Sequence, residues 1–294
     1  MASQEQADIR GLEIDKIVKA VTFTEDVFKS LCQVSTTSSS DTFRWYRKTN
    51  AATTLSATTP AASANISPLS RFTTLESDVT RTTSYVRKYG NTAFISMEDV
   101  LGADIDILAL QIMDCTKVVV RDVDTRIWDV ITNSRVTPTS ATAGDQINMV
   151  TTSGAWTDAA NNPIRDVLAA RRVIMVSGGY TQNPTIVLSP LDYQNLISYL
   201  VFAKGSNIPD FSSSLARGGK VLELAGMPIM VSTNVTADYA VALIPQVSCT
   251  WKSFQDTTSV VVDHPGLGKE VIVWEIGEAI LQNPRSVCLI SNTQ

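Results

Sequence analysis

The stretch SMEDVLGADIDILALQIMDCTKVVVRDVDTRIWDVITN, from Ser96 to Asn133, constrains the fold of this chain more than any other. Apolar residues return at Ile105, Leu108, Ile112, Cys115, Val119, Val123, Ile127 and Val130. Steps of three and four lay one apolar stripe along one face of an α-helix. Ser96, with Asp99 three residues on, offers a capping box, and Glu98 and Asp99 put acid in the first turn. Asp122 and Arg126 stand four apart, acid first, as a supporting pair on the polar side. Asn133 and then Pro138 supply the stop, and Gly102 stands where it can shorten or kink the start. Such a helix spans on the order of 50 Å, longer than a compact domain needs. It works as a beam.

A chain of 294 residues is long enough for one large domain or two smaller ones, with a substantial core. Its formal net charge of −5, without a run of Lys and Arg, argues against nucleic acid as a direct ligand. The N-terminus MASQEQADIRGLEID has neither a basic leader nor an apolar run, so it does not read as a secretory signal. No stretch approaches the roughly 18 consecutive apolar residues of a membrane span. Cys32, Cys115, Cys249 and Cys288 are scattered without metal-ligand or redox spacing and read as small core hydrophobes in a reducing compartment.

Residues 1–35 read as an arm: Ile9, Leu12, Ile14, Ile17, Val18 and Val21 are loosely amphipathic, and EDVFKSLC follows. The arm is too short for a core of its own and should lie on something else. A polar linker, 36–40, leads to the strand-like TFRWYRKT at 42–49. Residues 50–67 are nearly all Ala, Thr, Ser and Pro, and RFTTLE at 71–76 resumes a strand pattern. Strand, polar tip and strand read as a long projecting hairpin or, alternatively, a disordered surface loop. SYVRKYGNTAFIS then leads into the long helix.

After a Thr-rich connection, Asn162-Pro163 opens a second helix that Gly178-Gly179 ends. NPTIVLSP reads as a buried strand, and Pro190 starts a third helix with Leu191, Leu196, Ile197, Leu200 and Val201 inward. KVLEL, MPIMVS and YAVALIP are short strands. TTSVVVDH and KEVIVWEI flank a Pro265-Gly266-Leu267-Gly268 turn, and EAILQNPRSVCLI is a last strand or extended segment. The order predicts an α+β fold with a middle unit inserted into a body made from distant parts of the chain.

No reactive constellation emerges. The single histidine, His264, reads as a surface turn residue rather than a metal ligand or catalytic base. Arg217-Gly218-Gly219-Lys220 and Gly266-Leu267-Gly268-Lys269 are not phosphate loops, because Val221 and Glu270 follow the lysines where Ser or Thr is needed. Gly266-Leu267-Gly268 also lacks the third glycine and the following helix of a dinucleotide site. Asp104/Asp106 and Asp122/Asp124 sit two apart on the helix and read as solvated faces, not carboxylate dyads. The Asn65 and Asn234 sequons are read as chance. The expectation is no catalytic, cofactor-binding or metal site, no cofactor and no enzyme.

The order of elements resembles the major capsid proteins of tailed bacteriophages, the Hong Kong 97-like fold. SYVRKYGNTAFIS entering a helix that ends RDVDTRIWDVI carries the resemblance, with DVLAARRVIM, NPTIVLSPLDYQNLISYL and VLELAGMPIMVSTNV. It implies an N-terminal arm at 1–40 and an extended loop at 41–83. A peripheral domain with the spine helix would take 84–154, an axial domain 155–254, and peripheral return strands 255–294. The implied function is structural: hexamers and pentamers closing an icosahedral virion shell around double-stranded DNA, without sequence-specific contact and without a membrane, assembled in the host cytoplasm. Partners would be a separate scaffolding protein, since the arm before Thr36 is too short to be a fused one, a portal and a decoration protein. Lys48 lies at the base of the extended loop with no lysine at its tip, so subunit crosslinks are not expected. The alternatives are an encapsulin-type nanocompartment shell, with the same fold around a cargo enzyme, and a soluble α+β enzyme.

Overall fold

The computed structural model describes residue 18 and residues 26–36, 41–48, 68–70, 79–98, 106–132, 147–158, 161–200 and 223–294. Along the chain, α1 (Phe28–Leu31) and β1 (Gln33–Thr36) precede β2 (Thr42–Lys48), β3 (Val79–Tyr85) and β4 (Arg87–Ser96). The long helix α2 (Asp106–Ile131) comes next, then β5 (Asn148–Thr151), α3 (Pro163–Gly178), β6 (Thr185–Leu188) and α4 (Pro190–Ser198). Short strands β7 (Glu223–Leu224), β8 (Met227–Val231) and β9 (Tyr239–Leu243) lead to two long ones, β10 (Cys249–His264) and β11 (Gly268–Leu281). A 3-10 turn at Pro284–Ser286 and β12 (Val287–Ser291) close the chain. The architecture is α+β.

The chain divides into two units, neither continuous in sequence. The first takes Met1–Phe43, Thr83–Ile127 and Trp251–Ile280; the second takes Arg44–Thr82, Trp128–Thr250 and Leu281–Gln294. In the first unit, four strands lie in the order β1-β10-β11-β4. β4 and β11 run antiparallel from the Ser96–Gly268 pair to the Arg87–Gly277 pair. α2 places Ile112, Cys115 and Val119 against Val271 and Val273 of β11, with Val18 beside them. Burying each such aliphatic side chain contributes roughly 1.5–3 kcal/mol. Trp251 is fully buried on β10, and Gly277 on β11 makes that possible, since a Cβ there would overlap the indole ring.

The second unit carries a six-stranded sheet, β5-β12-β9-β6-β8-β7. β12 pairs parallel with β5 and antiparallel with β9, while β6 pairs antiparallel with β9 and parallel with β8. All four residues of β6 and all five of β12 are buried, which is why both read as unbroken apolar runs. Val167, Ala170 and Ile174 of α3 pack with Ile186, Leu188, Ala242 and Ile290 of the sheet. α3 starts as read: the Asn162 side chain accepts from Arg165 N at 3.3 Å, Pro163 follows, and Gly179 closes the other end at φ 67°. α4 starts on Ser189, whose Oγ accepts from Asp192 N at 3.1 Å.

Several expectations need correction. Ser96 is the last residue of β4, tied to Gly268, rather than a free helix cap; 97–98 are helical, 99–105 lie outside the described residues, and α2 is described from Asp106. Its buried face is broader than the single stripe: Thr116, Val120, Asp124, Trp128 and Ile131 join Ile112, Cys115, Val119, Val123 and Ile127, while Val130 is half-buried. Ile105, the side chain of Leu108, and Asn133 are outside the described residues. The strand returning beside β2 is Val79–Tyr85, and 71–76 are outside the described residues, as are 50–67. Leu191 is exposed, because at the first turn of α4 it precedes the face that Leu196 and Leu200 bury. β10 begins eight residues earlier than TTSVVVDH suggested, since Cys249, Trp251 and Ser253 alternate inward among polar neighbours.

Candidate functional site

The most structured polar assembly lies inside the first unit. Asp124 shares the face of α2 that buries Val120 and Ile127, and is only 1 % exposed. This corrects the reading of Asp122/Asp124 as a solvated pair: Asp122 is exposed and Asp124 is sealed. Its carboxylate accepts from the backbone N–H groups of Val27 at 3.0 Å, Phe28 at 3.3 Å and Lys29 at 3.2 Å. Those N–H groups open α1, whose own N-cap, Val27, has no side-chain oxygen to satisfy them. A carboxylate from α2 therefore does for α1 what an N-cap side chain usually does.

Lys29 carries the link onward, 2.7 Å from Glu275 Oε1 on β11 and 3.9 Å from Asp26. Glu275 is buried and also accepts from Thr257 Oγ1 at 2.8 Å. Burial pushes the Asp26 carboxyl up to about 7, against the pull of Lys29 and with added repulsion from Asp124 and Glu275. Burial also raises Asp124, and its three N–H donors oppose the shift. Phe28, Leu31 and Cys32 anchor the same segment in the core, and Lys252 Nζ donates to Ser35 at 2.8 Å.

A second buried acid, Glu278, holds β11 to α2. Arg126 donates to its Oε1 through Nε at 2.9 Å and Nη2 at 2.6 Å, and Arg87 Nε lies 3.2 Å from Oε2. Arg126 is thus turned to Glu278 rather than to the expected Asp122. Burial, with Glu278 adding to it, pushes the nearby Tyr89 hydroxyl up to about 12. In the second unit, buried Asp192 accepts from Ser189 Oγ at 2.8 Å, and Gln294 Nε2 donates to the same Ser189 at 3.1 Å. Trp128 Nε1 donates to Thr236 Oγ1 at 3.0 Å, so Thr236 of the Asn234 sequon is occupied structurally.

In the described residues, the motifs set aside in the sequence make turn and surface contacts. His264 ends β10, with Nε2 2.9 Å from Glu270 Oε2, and its carbonyl receives Leu267 N to close the turn. Gly266 and Gly268 form that turn at φ 77° and 148°, and Lys269 pairs with Asp263. Residues 217–220 and the Asp104 and Asp106 side chains lie outside what is described. All four cysteines are buried and none forms a disulfide. Among the described residues, no three His, Cys, Asp or Glu side chains gather to hold a metal, and no helix is long and apolar enough to cross a membrane.

What the chain does present is surface. β2 and β3 form a separate two-stranded ladder, closed at its base by Val86 N donating to Asp41 O at 3.0 Å. Tyr46 and Tyr85 on it are exposed. Phe94, Met97 and Leu267 are exposed at one end of the four-stranded sheet, as are Leu110 and Val118 on α2 and Leu168 and Val176 on α3.

No curated protein matches the chain. In fold it is similar to the capsid of cyanophage P-SCSP1u: TM-score 0.65 and 14% identity over 90% of this chain and 88% of that one. It is also similar to a virus-like particle from Pyrococcus furiosus, with TM-score 0.64, 10% identity, and 96% of this chain and 99% of that chain covered. Mycobacterium phage Che8 gives a TM-score of 0.60 and 15% identity, over 91% of this chain and 92% of that chain. At these identities the likeness establishes the fold, which is the Hong Kong 97-like one. The family model described as phage capsid protein matches residues 79–277, more than half of the sequence and the part that carries β3, β4, α2 and the β10–β11 pair. The chain belongs to the phage capsid protein family.

Proposed function

We infer that the chain is the repeating subunit of an icosahedral virion shell, assembling as hexamers and pentamers around double-stranded DNA. The observation that carries this reading is the family match across residues 79–277, and the exposed apolar surface of both units supports it. A shell subunit needs surfaces completed by neighbours and no active site. On this reading the peripheral domain lies in the first unit and the axial domain in the second, which also takes 44–82 of the extended loop, 128–154 and 281–294. The segment 41–83 is the extended loop, lying across an adjacent subunit. The uncharged tip at 50–67 suits that role, since it docks without burying unpaired ions. Assembly takes place in the host cytoplasm with separate scaffolding and portal proteins and no enzymatic step. The family match, to a model described as phage capsid protein, is what favours a virus over a nanocompartment.

The test is to replace residues 50–67 with a short Gly-Ser link and compare sedimentation with the parent chain. The parent is expected to form large assemblies and the shortened chain small ones, with unchanged helix content. Equal assembly by both would remove the loop from the contact.

A further inference from the structure

We propose that the segment Asp26–Thr36 is a proton-coupled strap, held on α2 and β11 by the Asp26–Asp124–Glu275 cluster more tightly as pH falls and released as pH rises. The charges facing Asp26 come from three elements: Lys29 on its own segment, Asp124 on α2 and Glu275 on β11. One ammonium thus serves three carboxylates, and it sits closer to Glu275, at 2.7 Å, than to Asp26, at 3.9 Å. Asp26 Oδ1 is buried without a hydrogen-bond partner, and its carboxylate has only the distant Lys29 to offset its charge, so a proton there lowers the cost of burial. Asp124 and Glu275 each have donors: three backbone N–H groups for one, Lys29 and Thr257 for the other.

Docking is cooperative for the same reason. Lifting α1 away strips Asp124 of all three donors and Glu275 of Lys29 in one event, while uncovering Phe28, Leu31 and Cys32. The segment therefore has two states rather than a graded series. Undocked, Asp26 is a solvated carboxyl with an ordinary low pKa; docked, it holds its proton up to about 7. The docked state binds more protons, so docking is fully favoured below the ordinary value and weakens as pH rises towards neutrality, by up to about tenfold per pH unit. Raised Asp124 acts in the same direction. The strap does not depend on the shell reading: it belongs to the single chain.

Hydrogen exchange of the full chain tests it. Protection of the amides of 27–32, corrected for the intrinsic pH dependence of exchange, is expected to fall more than tenfold between about pH 5.5 and about pH 8. Asp26→Asn, which mimics the protonated acid, is expected to stay protected at both values. Amides of α3 in the second unit report whether the change is local and are expected to hold steady. Equal corrected protection of 27–32 in the parent at both pH values would overturn the proposal. So would a parallel loss across α3, or an Asp26→Asn chain that keeps the full dependence. If Asp26→Asn does not fold, the parent's local profile against α3 decides.

Discussion

A carboxylate sealed from solvent is stable only where donors surround it, and Asp124 has three backbone N–H groups around it. Asp124→Ala leaves those N–H groups without acceptors at the start of α1, so a loss of about 2–4 kcal/mol is expected in denaturant unfolding. A change within a few tenths of a kcal/mol would mean that water or a neighbouring group replaces the carboxylate. Much of this was legible. Asp124 stands four after Val120 and three before Ile127, so helical spacing already placed it on the buried face; reading Asp122/Asp124 only as a pair hid that. Glu275 shares the strand parity of Val271 and Val273, and alternation alone turns it inward. Which donors meet these acids was not legible, because Val27–Lys29 are nearly a hundred residues from Asp124 in sequence.

Where Pro follows an N-cap residue, the sequence marks the helix start. α3 has Asn162 and Pro163 at one end and Gly179 at the other, and α4 has Ser189 and Pro190. Asn162→Ala is expected to cost about 1 kcal/mol, measured by thermal or denaturant unfolding, because the Arg165 N–H loses its side-chain acceptor and keeps only the Asn162 carbonyl. Strands whose pattern is polar were read poorly. Val79–Tyr85 is VTRTTSY, whose only large apolar positions are its ends, and tertiary pairing with β2 decides its conformation. The front of β10 is hard to read because its inward positions include Ser253, which bonds Asp256 instead of presenting an apolar face.

At the scale of the molecule, neither unit is a continuous stretch of sequence, and β10 and β11 carry the chain from the second unit through the first and back. Order of elements was enough to suggest the family; the division at 280/281 was not, since β12 reads as a continuation of the same apolar run. On the proposed reading, the exposed Tyr46, Tyr85, Phe94, Leu110, Val176 and Leu267 are side chains that neighbouring subunits would cover. Electron microscopy of particles purified from cells expressing this chain, alone and with a scaffolding partner, tests that account most directly. Closed shells with sixfold and fivefold clusters of subunits are the expected result. A monodisperse monomer or dimer under both conditions would contradict it.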